Sequence, residues 1–291
     1  MEIQSLVPVG SKTTMRIGGQ ARAYAELATK EDVEQAVAYS TESGLPLVML
    51  GGGSNTVFAD GVIEALVCRI KNAETKIEGN AVTVNAGVTL GSLINELAEK
   101  DLDLSALTGI PGTIGGAIIG NAGQGFGGTW IDSYVRSVTV FMEGRWQTLS
   151  PMACRFRYRE SGFKEIAGAL VVWEAQLEVP SRPGAEVKAE VERLLQKRIE
   201  TQPHLKTAGS AFKSLPDGTP AWKLIEAAGL RGTKVGDLEI STKHCNFFTN
   251  AGKATFDDVL KMTALIREKV PRIEGIEMRL YGNDGQIVKQ H

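Results

Sequence analysis

The segment LTGIPGTIGGAIIGNAGQGFGG, residues 107–128, holds nine of the 33 glycines in this chain of 291 residues. A glycine inside a regular element costs about 0.5–1 kcal/mol relative to alanine, so this concentration requires a physical reason. A flexible linker would be rich in serine and poor in aliphatic residues, whereas five aliphatic side chains that favour burial are interleaved here: Leu107, Ile110, Ile114, Ile118 and Ile119. The pattern favours a backbone that closely approaches a ligand, typically an anion whose identity is still open.

A second glycine loop lies earlier in the chain. Residues 47–50 are a short apolar run, which predicts a buried strand, and the run leads directly into Gly51, Gly52, Gly53, Ser54 and Asn55. A glycine turn after a strand is where α/β proteins present backbone amides to phosphate. One such loop is a weak signal, but two can converge on one elongated anion such as a pyrophosphate.

The hydrophobic pattern predicts an α+β chain with two domains, residues 1–182 and 183–291. Capping-box patterns at Thr29 and Thr255 predict helices that begin after them, and an apolar stripe predicts a helix after Thr89. Residues 137–149 and 168–179 are predicted as strands, 185–202 as an amphipathic helix and 276–281 as the closing strand. Two prolines and a glycine near residue 181 indicate the domain boundary.

Composition argues against several classes of protein. The net charge is −2 and the basic residues are dispersed, which argues against nucleic-acid or anionic-membrane partners. No signal-peptide pattern or membrane-length apolar run is visible, so we expect a cytoplasmic protein. Three isolated cysteines and three histidines indicate reduced thiols and no metal site, and nothing indicates an obligate protein partner.

Two short motifs are misleading. GQGFGG at residues 123–128 matches the dinucleotide fingerprint, but the residues after it read as a strand rather than the required helix, which argues against a Rossmann site. SAFK at residues 210–213 matches the S-x-x-K of penicillin-binding enzymes. The same pattern recurs at residues 161–164 and the companion motifs are missing, which argues against a covalent serine hydrolase.

Several polar residues lie in glycine-rich or aromatic settings, and each has an ordinary structural explanation. Arg159 fits a solvated surface charge, Ser210 a turn hydroxyl bonded to nearby backbone, His244 a neutral turn residue, and Glu277 an exposed position in a strand. From residue types and spacing alone, these structural explanations are at least as well supported as catalytic roles. On that basis the sequence predicts a two-domain protein that binds a phosphate ester.

Six longer motifs occur in order along the chain: LGGGSN (50–55), GIPGTIGGAIIGNAG (109–123), YRESGFK (158–164), AGSAFK (208–213), STKHCNFFTN (241–250) and EMRLYG (277–282). Together they closely resemble the UDP-N-acetylenolpyruvoylglucosamine reductases, flavoenzymes of bacterial peptidoglycan precursor synthesis. The resemblance spans essentially the whole chain. The short connection between residues 181 and 210 resembles the compact type of this enzyme, which lacks an extra substrate-covering loop.

The resemblance implies a fold and two cofactors. The N-terminal domain would have the FAD-binding fold of the vanillyl-alcohol oxidase (PCMH) type, followed by a smaller α+β substrate-binding domain. The anion would be the pyrophosphate of non-covalently bound FAD, since neither glycine loop contains a His or Cys, and NADPH would be the reductant. The implied FAD contacts are Gly51, Gly52, Gly53, Ser54, Asn55, Thr108, Gly109, Pro111, Gly112, Gly115, Gly116, Asn121 and Gly123. Among them, Ser54, Asn55 and Asn121 would add side-chain bonds to the backbone amides.

The resemblance also implies a reaction, reduction of an enolpyruvyl ether of a UDP-sugar to a lactyl ether. Arg159 would neutralise the substrate carboxylate and the developing enolate, and protonated Glu277 would hydrogen-bond the same enolate. Ser210 would deliver the proton. Further contacts, with the substrate's nucleotide diphosphate or with NADPH, would come from Tyr158, Lys213 and Asn246.

The chain departs from the family pattern at three places: GQGFGG replaces a tyrosine-containing segment, Cys245 replaces a smaller residue, and Ser214 replaces an asparagine. Two alternatives stay open at this point. One is an FAD-dependent alcohol oxidase of the same fold, and the other is a UDP-sugar-binding protein without activity.

Overall fold

The computed structural model describes residues 1–124 and 128–288. The chain folds into two compact units, whose segments alternate along the sequence. The first unit comprises Met1–Ile3, Ala25–Gly52 and Val67–Arg198, and the second comprises Gln4–Tyr24, Gly53–Leu66 and Ile199–His291. The domain boundary expected between residues 182 and 183 stays a prediction.

The elements within the described residues are numbered in chain order. The strands are β1 (Ile3–Pro8), β2 (Gln20–Leu27), β3 (Leu47–Met49), β4 (Thr56–Phe58), β5 (Val62–Ile70), β6 (Thr75–Glu78), β7 (Ala81–Asn85), β8 (Val135–Met142), β9 (Arg145–Leu149), β10 (Leu170–Glu178), β11 (Lys234–Val235), β12 (Leu238–Ile240), β13 (Phe248–Asn250) and β14 (Arg279–Tyr281). The α-helices are α1 (Lys30–Ser43), α2 (Leu90–Ala98), α3 (Ile114–Gly120), α4 (Pro151–Cys154), α5 (Gly184–Thr201), α6 (Ala221–Ala227) and α7 (Phe256–Lys269). Short 3-10 turns cover Gly10–Lys12, Ser105–Leu107, Ile131–Ser133 and Gly162–Glu165.

The first unit contains an antiparallel sheet in the order β6-β7-β10-β8-β9. In its centre Gln176 of β10 pairs with Thr83 of β7 on one side and with Ser137 of β8 on the other. The neighbouring positions Ala175 and Leu177 are fully buried, so the strand alternates between an apolar and a polar face as a half-buried strand should. The apolar face packs in one core cluster with residues of α2 and α3.

The predicted helix starts of both units are confirmed. Thr29 and Thr255 each accept a hydrogen bond from the backbone of the aspartate three residues later, whose carboxylate bonds back to the cap. The predicted stripe of α2 is buried throughout, as are Val259, Met262 and Ile266 of α7. Each capping box is worth about 1 kcal/mol, while burial of the apolar face contributes most of the stability of these helices.

Within residues 107–124, the glycine-rich segment forms a turn, a loop and a short helix. Ile114 and Ile118 of α3 are fully buried in the first core, and the helix ends at Asn121, whose φ of 40° is left-handed. Helix α3 was not predicted from the sequence, and its glycines have a low intrinsic helix propensity.

The second unit has its own core, formed by α6, α7 and the antiparallel sheet β11-β12-β13. The parallel pair β14–β4 aligns Leu280 with Val57. The closing strand begins at Arg279, later than the predicted residue 276, and Ile276 forms only an isolated bridge with Phe212. A further sheet has the order β1-β2-β5-β3. None of the helices described has both the length and the apolar character needed to cross a membrane.

Candidate functional site

In the first unit, Gly51 and Gly52 of the earlier glycine loop lie against residues 112 and 113 of the glycine-rich segment. A Cβ atom on Gly52 would stand 2.8 Å from the Cα of Gly112, and one on Gly51 would stand 2.6 Å from Oγ1 of Thr113. Gly112 also has a φ of 115°, which L-residues with side chains rarely adopt. Only glycine at residue 52 permits this approach, so a side chain there would separate the two segments.

Polar groups around these segments fit a bound dinucleotide. Within residues 1–124 and 128–288, no backbone carbonyl accepts a hydrogen bond from the amides of Gly51, Gly52 or Gly53. Thr108 is 1% exposed, and its hydroxyl has no hydrogen-bond partner among the described residues. A buried hydroxyl without a partner costs about 1–3 kcal/mol, which a ligand that accepts its hydrogen bond would recover.

The remaining implied cofactor contacts of the first unit line the same segment. Gly115 packs on Ala86, where a Cβ would lie 3.0 Å from the alanine Cβ. Gly123 forms an isolated bridge with Trp130, and a Cβ there would lie 2.4 Å from the indole ring. Pro111 and Gly116 are exposed.

Asn121 is buried, and its side chain is bound within the first unit. Its amide nitrogen donates to Asp132 Oδ2 at 3.0 Å and to the carbonyl of Arg157 at 3.0 Å, while its oxygen accepts from the amide of Asp132 at 3.3 Å. These bonds compete with the side-chain bond to a pyrophosphate that the resemblance implies. They tie the end of α3 to the chain that precedes Arg159.

Arg159 lies in a tight turn. The backbone groups of Arg157 and Glu160 bond to each other in both directions, at 2.9 and 3.1 Å, and Tyr158 and Arg159 form the two central positions. Arg159 has a φ of 56°, a value usually taken by Gly or Asn at the second central position of such a turn. Its guanidinium lies over Trp130 at 5.0 Å from the ring centroid, and Tyr158 meets the same ring edge-on at 5.3 Å. Arg159 is therefore held by its backbone and by its side chain rather than extended into solvent.

A second arginine, which lies in none of the six sequence motifs, is found in the same region. Arg198, near the C-terminal end of α5, donates from Nη1 to the carbonyl of Gly109 at 2.7 Å. Gly109 has a φ of 75°, and a Cβ there would lie 2.3 Å from Cδ of Arg198. Burial lowers the pKa of the Arg198 guanidinium, and the positive charge of Arg159 lowers it further. Two arginines thus give this part of the first unit a positive potential that suits an anion.

Ser210 belongs to the second unit. It follows Gly209, whose φ is 77°, and it bridges Phe247 in antiparallel fashion. The side chain is half-buried. Among the described residues its hydroxyl makes no hydrogen bond, so the local backbone bond considered from sequence is not formed there.

Asn246 holds the segment that carries Ser210. Its side-chain oxygen accepts from the amide of Phe212 at 3.0 Å, its nitrogen donates to the carbonyl of Phe212 at 2.8 Å, and its own carbonyl accepts from Ala211 at 2.8 Å. The residue is buried. This arrangement fixes the backbone on the C-terminal side of Ser210.

Glu277 is half-buried and is fixed through its backbone. Its amide donates to the carbonyl of Ala211 at 2.8 Å, next to Ser210 in the chain, and its carbonyl accepts from Nδ2 of Asn55 at 3.0 Å. The carbonyl of Asn55 in turn accepts from Arg279 at 2.9 Å. Asn55, expected to contact FAD, thus also positions Glu277, a role that the sequence pattern did not indicate.

The second unit also contains Gly53, Ser54 and Lys213 of the predicted site. Gly53 packs on the backbone of Lys12 and Thr13, and a Cβ there would lie 2.5 Å from the Lys12 carbonyl oxygen. Ser54 and Lys213 are half-buried, and the Lys213 amide donates to Gly275 at 2.8 Å. In the STKHC motif, burial lowers the pKa of His244, whose Nδ1 accepts from the amide of Asn246 at 3.3 Å.

The GQGFGG motif is only partly described, since residues 125–127 lie outside the described residues. The chain after it forms a 3-10 turn and then β8. The predicted strand is confirmed, and the helix that a dinucleotide fingerprint requires does not follow.

Comparison with known proteins identifies the class first. Residues 21–150 match the family model described as an FAD binding domain. The chain is a flavoprotein of the oxidoreductase class with FAD as its cofactor, and the predicted order of an FAD-binding domain followed by a smaller α+β domain is confirmed.

The remaining comparisons identify the family. Residues 201–280 match the model of the UDP-N-acetylenolpyruvoylglucosamine reductase C-terminal domain. Curated relatives of that name from Moorella thermoacetica and Bradyrhizobium sp. are 35% and 36% identical, over 96% and 95% of this chain and 92% and 89% of their own. A crystal structure of the Thermus caldophilus enzyme has a TM-score of 0.82 at 32% identity and covers 96% of this chain and 98% of its own. The chain belongs to the UDP-N-acetylenolpyruvoylglucosamine reductase family.

Proposed function

We propose that this protein reduces the enolpyruvyl ether of UDP-N-acetylglucosamine to UDP-N-acetylmuramate, with NADPH as reductant, in peptidoglycan precursor synthesis. Family membership over nearly the whole chain supports the substrate. The observation that carries the proposal is Arg159, a cation held in a strained turn over an indole ring in the first unit. Strain of this kind persists where the surrounding structure enforces it, which is characteristic of functional positions.

The FAD site of the proposal rests on the two glycine segments. Gly51, Gly52 and Gly112 bring backbone amides together, and Thr108 offers a buried hydroxyl. The proposed contacts also include Gly53, Ser54, Asn55, Gly109, Pro111, Gly115, Gly116, Asn121 and Gly123. When bound and reduced by NADPH, FAD supplies the hydride that reaches the terminal vinyl carbon of the substrate.

Arg159 stabilises the charge that this addition creates. Hydride addition to the vinyl carbon leaves an electron pair on the neighbouring carbon and its carboxylate. A fixed guanidinium beside that carboxylate stabilises the charge without reorganising, an effect of about 10²–10³-fold for one group of this type. Because its backbone and side chain are both held, Arg159 meets that requirement. Tyr158, which shares the Trp130 ring, is proposed to contact the substrate.

Ser210 and Glu277 complete the reaction. The Ser210 hydroxyl donates a proton to the carbon next to the carboxylate, so one hydride and one proton together saturate the double bond. A positioned acid contributes about 10²–10⁴-fold. Glu277, protonated, hydrogen-bonds the enolate, and the backbone bond between Glu277 and Ala211 supports a shared placement with Ser210. Lys213 and Asn246 are the remaining proposed contacts, for the nucleotide diphosphate or NADPH.

The test uses purified protein loaded with FAD. We expect NADPH to bleach the flavin absorption and the enolpyruvyl substrate to restore it, with one lactyl ether formed per NADPH consumed. Oxygen consumption with an alcohol and no reaction with NADPH would identify an alcohol oxidase instead. Substrate binding without any turnover would identify a non-catalytic UDP-sugar-binding protein.

A further inference from the structure

The arginine turn, residues 157–160, requires a force that keeps Arg159 in its left-handed conformation. For an L-residue this conformation brings Cβ close to the carbonyl oxygen, so an unsupported turn would relax to other φ values. Trp130 contacts the guanidinium, but a stacked side chain does not determine the backbone angle. Two backbone hydrogen bonds between Arg157 and Glu160 close the turn, and a further contact fixes the Arg159 carbonyl that lies between them.

That contact comes from Lys164. Its Nζ donates to the carbonyl oxygen of Arg159 at 2.7 Å and pairs with the Glu160 carboxylate at 3.3 Å. Both side chains of the pair are largely shielded from solvent, with exposures of 18% for Lys164 and 29% for Glu160. A charge-assisted bond in such a setting is stronger than one on an open surface.

Lys164 is itself anchored to the glycine segment. It lies in the 3-10 turn Gly162–Glu165, whose N-cap residue Ser161 is fully buried and donates from Oγ to the carbonyl of Ile119 in α3 at 2.7 Å. The direction of the Arg159 carbonyl is set by the backbone angles of that residue. An ammonium group fixed on this oxygen therefore selects the backbone conformation that directs the guanidinium onto Trp130.

We propose that Lys164 is a positioning residue for Arg159: by binding the Arg159 carbonyl it holds the guanidinium in the orientation that receives the substrate carboxylate. The inference rests on the proposed function for the role of Arg159 and assigns Lys164 no contact with substrate. The residue pattern does not indicate this role, because Lys164 reads as the last residue of a common S-x-x-K pattern.

The experiment compares Lys164→Met and Lys164→Arg with the control Lys188→Met, which removes an exposed lysine that pairs with Glu99 at 2.8 Å. For Lys164→Met we expect kcat/KM for the enolpyruvyl substrate to fall about tenfold to a hundredfold, the range for loss of a charged hydrogen bond. Flavin reduction by NADPH should stay unchanged, whereas the melting temperature should fall by a few degrees because Glu160 loses its shielded partner. Lys164→Arg should recover most of the activity, and Lys188→Met should lose none.

A double-mutant cycle with Arg159→Ala separates positioning from a general structural role. If Lys164 acts through Arg159, Lys164→Met should change nothing in the Arg159→Ala background. An equal loss in both backgrounds, equal damage to both half-reactions, or wild-type activity of Lys164→Met would overturn the proposal. If the wild-type protein shows no turnover, the proposed function fails. A crystal structure of Lys164→Met then tests, independently of activity, whether Lys164 positions Arg159. Arg159 should leave the positive-φ region, and an unchanged turn would contradict the inference.

Discussion

Replacing Gly52 by alanine tests whether contact between the two glycine segments holds the cofactor. The new Cβ would lie 2.8 Å from the Cα of Gly112 and 3.5 Å from its carbonyl carbon, so the neighbour it meets is backbone. Carbon atoms in contact are about 3.5–4.0 Å apart, and the segments must therefore separate by roughly 1 Å. A flexible side chain would move aside, but a backbone segment moves only together with its neighbours in the chain.

The magnitude follows from the cost of overpacking, about 1–3 kcal/mol. If this cost falls on the FAD-bound arrangement, the Kd for FAD should rise roughly tenfold to a hundredfold. The assay is a fluorescence titration of FAD into protein stripped of cofactor, with the melting temperature measured in parallel. The fold should survive, because Gly52 is exposed and lies outside the core cluster of the first unit.

The matched control is Gly91→Ala, at an exposed position of α2 where a Cβ meets no atom within 4 Å. Alanine stabilises a helix relative to glycine, so this variant should bind FAD as the wild type does and melt slightly higher. Wild-type FAD affinity in Gly52→Ala, or equal weakening in both variants, would refute the reasoning that close contact of the segments forms the site.

Three further predictions concern the second unit. Ser210→Ala should leave flavin reduction by NADPH intact and slow the reaction with the enolpyruvyl substrate about 10²–10⁴-fold in stopped-flow measurements; equal slowing of both steps would show that proton delivery is not its role. Asn246→Ala removes the two side-chain hydrogen bonds to the backbone of Phe212, so the free energy of unfolding in denaturant should fall by about 2–4 kcal/mol. The control Asn95→Ala, at an exposed position, should show no measurable loss. A loss in Asn246→Ala no larger than that in the control would contradict the structural role. Burial lowers the pKa of His244 in the folded protein, so the imidazole of the unfolded chain is protonated at a higher pH. The free energy of unfolding should therefore fall as the pH drops below about 6.5. In His244→Gln this part of the pH dependence should disappear, and an identical pH dependence in both proteins would refute the role of His244.

Sequence patterns were sufficient to predict the elements whose signals lie within a few neighbouring residues. The capping boxes at Thr29 and Thr255 depend on residues three positions apart, and the stripe of α2 depends on helical spacing alone. Those elements could be predicted because each signal lies within one helix: the cap bonds span three residues, and the apolar stripe is set by helical spacing. The strand after the GQGFGG motif was predicted for the same reason, since its alternation is visible in sequence.

Helix α3 could not be predicted from local sequence patterns. Its glycines lower the intrinsic helix propensity, yet Ile114 and Ile118 are fully buried in the core, and their packing outweighs that propensity. The interleaving of the two units along the chain is likewise a property of long-range pairing, such as that between β4 and β14, which no local pattern contains.

The supporting residues of the candidate site were also beyond sequence reasoning. Trp130 presents its ring face to the guanidinium of Arg159, and Lys164 donates to the Arg159 carbonyl. Arg198 donates to the carbonyl of Gly109. None of these residues has a distinctive spacing from the residue that it contacts. The motif that contains Arg159 could be recognised, whereas the contacts that orient Arg159 required coordinates.

The most direct test of the account is a single-turnover measurement without oxygen. Protein loaded with FAD is reduced with one equivalent of NADPH, mixed with the enolpyruvyl ether of UDP-N-acetylglucosamine, and followed by flavin absorption and product analysis. The account predicts rapid return of the oxidised flavin spectrum with stoichiometric formation of UDP-N-acetylmuramate, and almost no return in Ser210→Ala. A flavin that stays reduced in the wild-type protein, or that is reoxidised without formation of the lactyl ether, would contradict it.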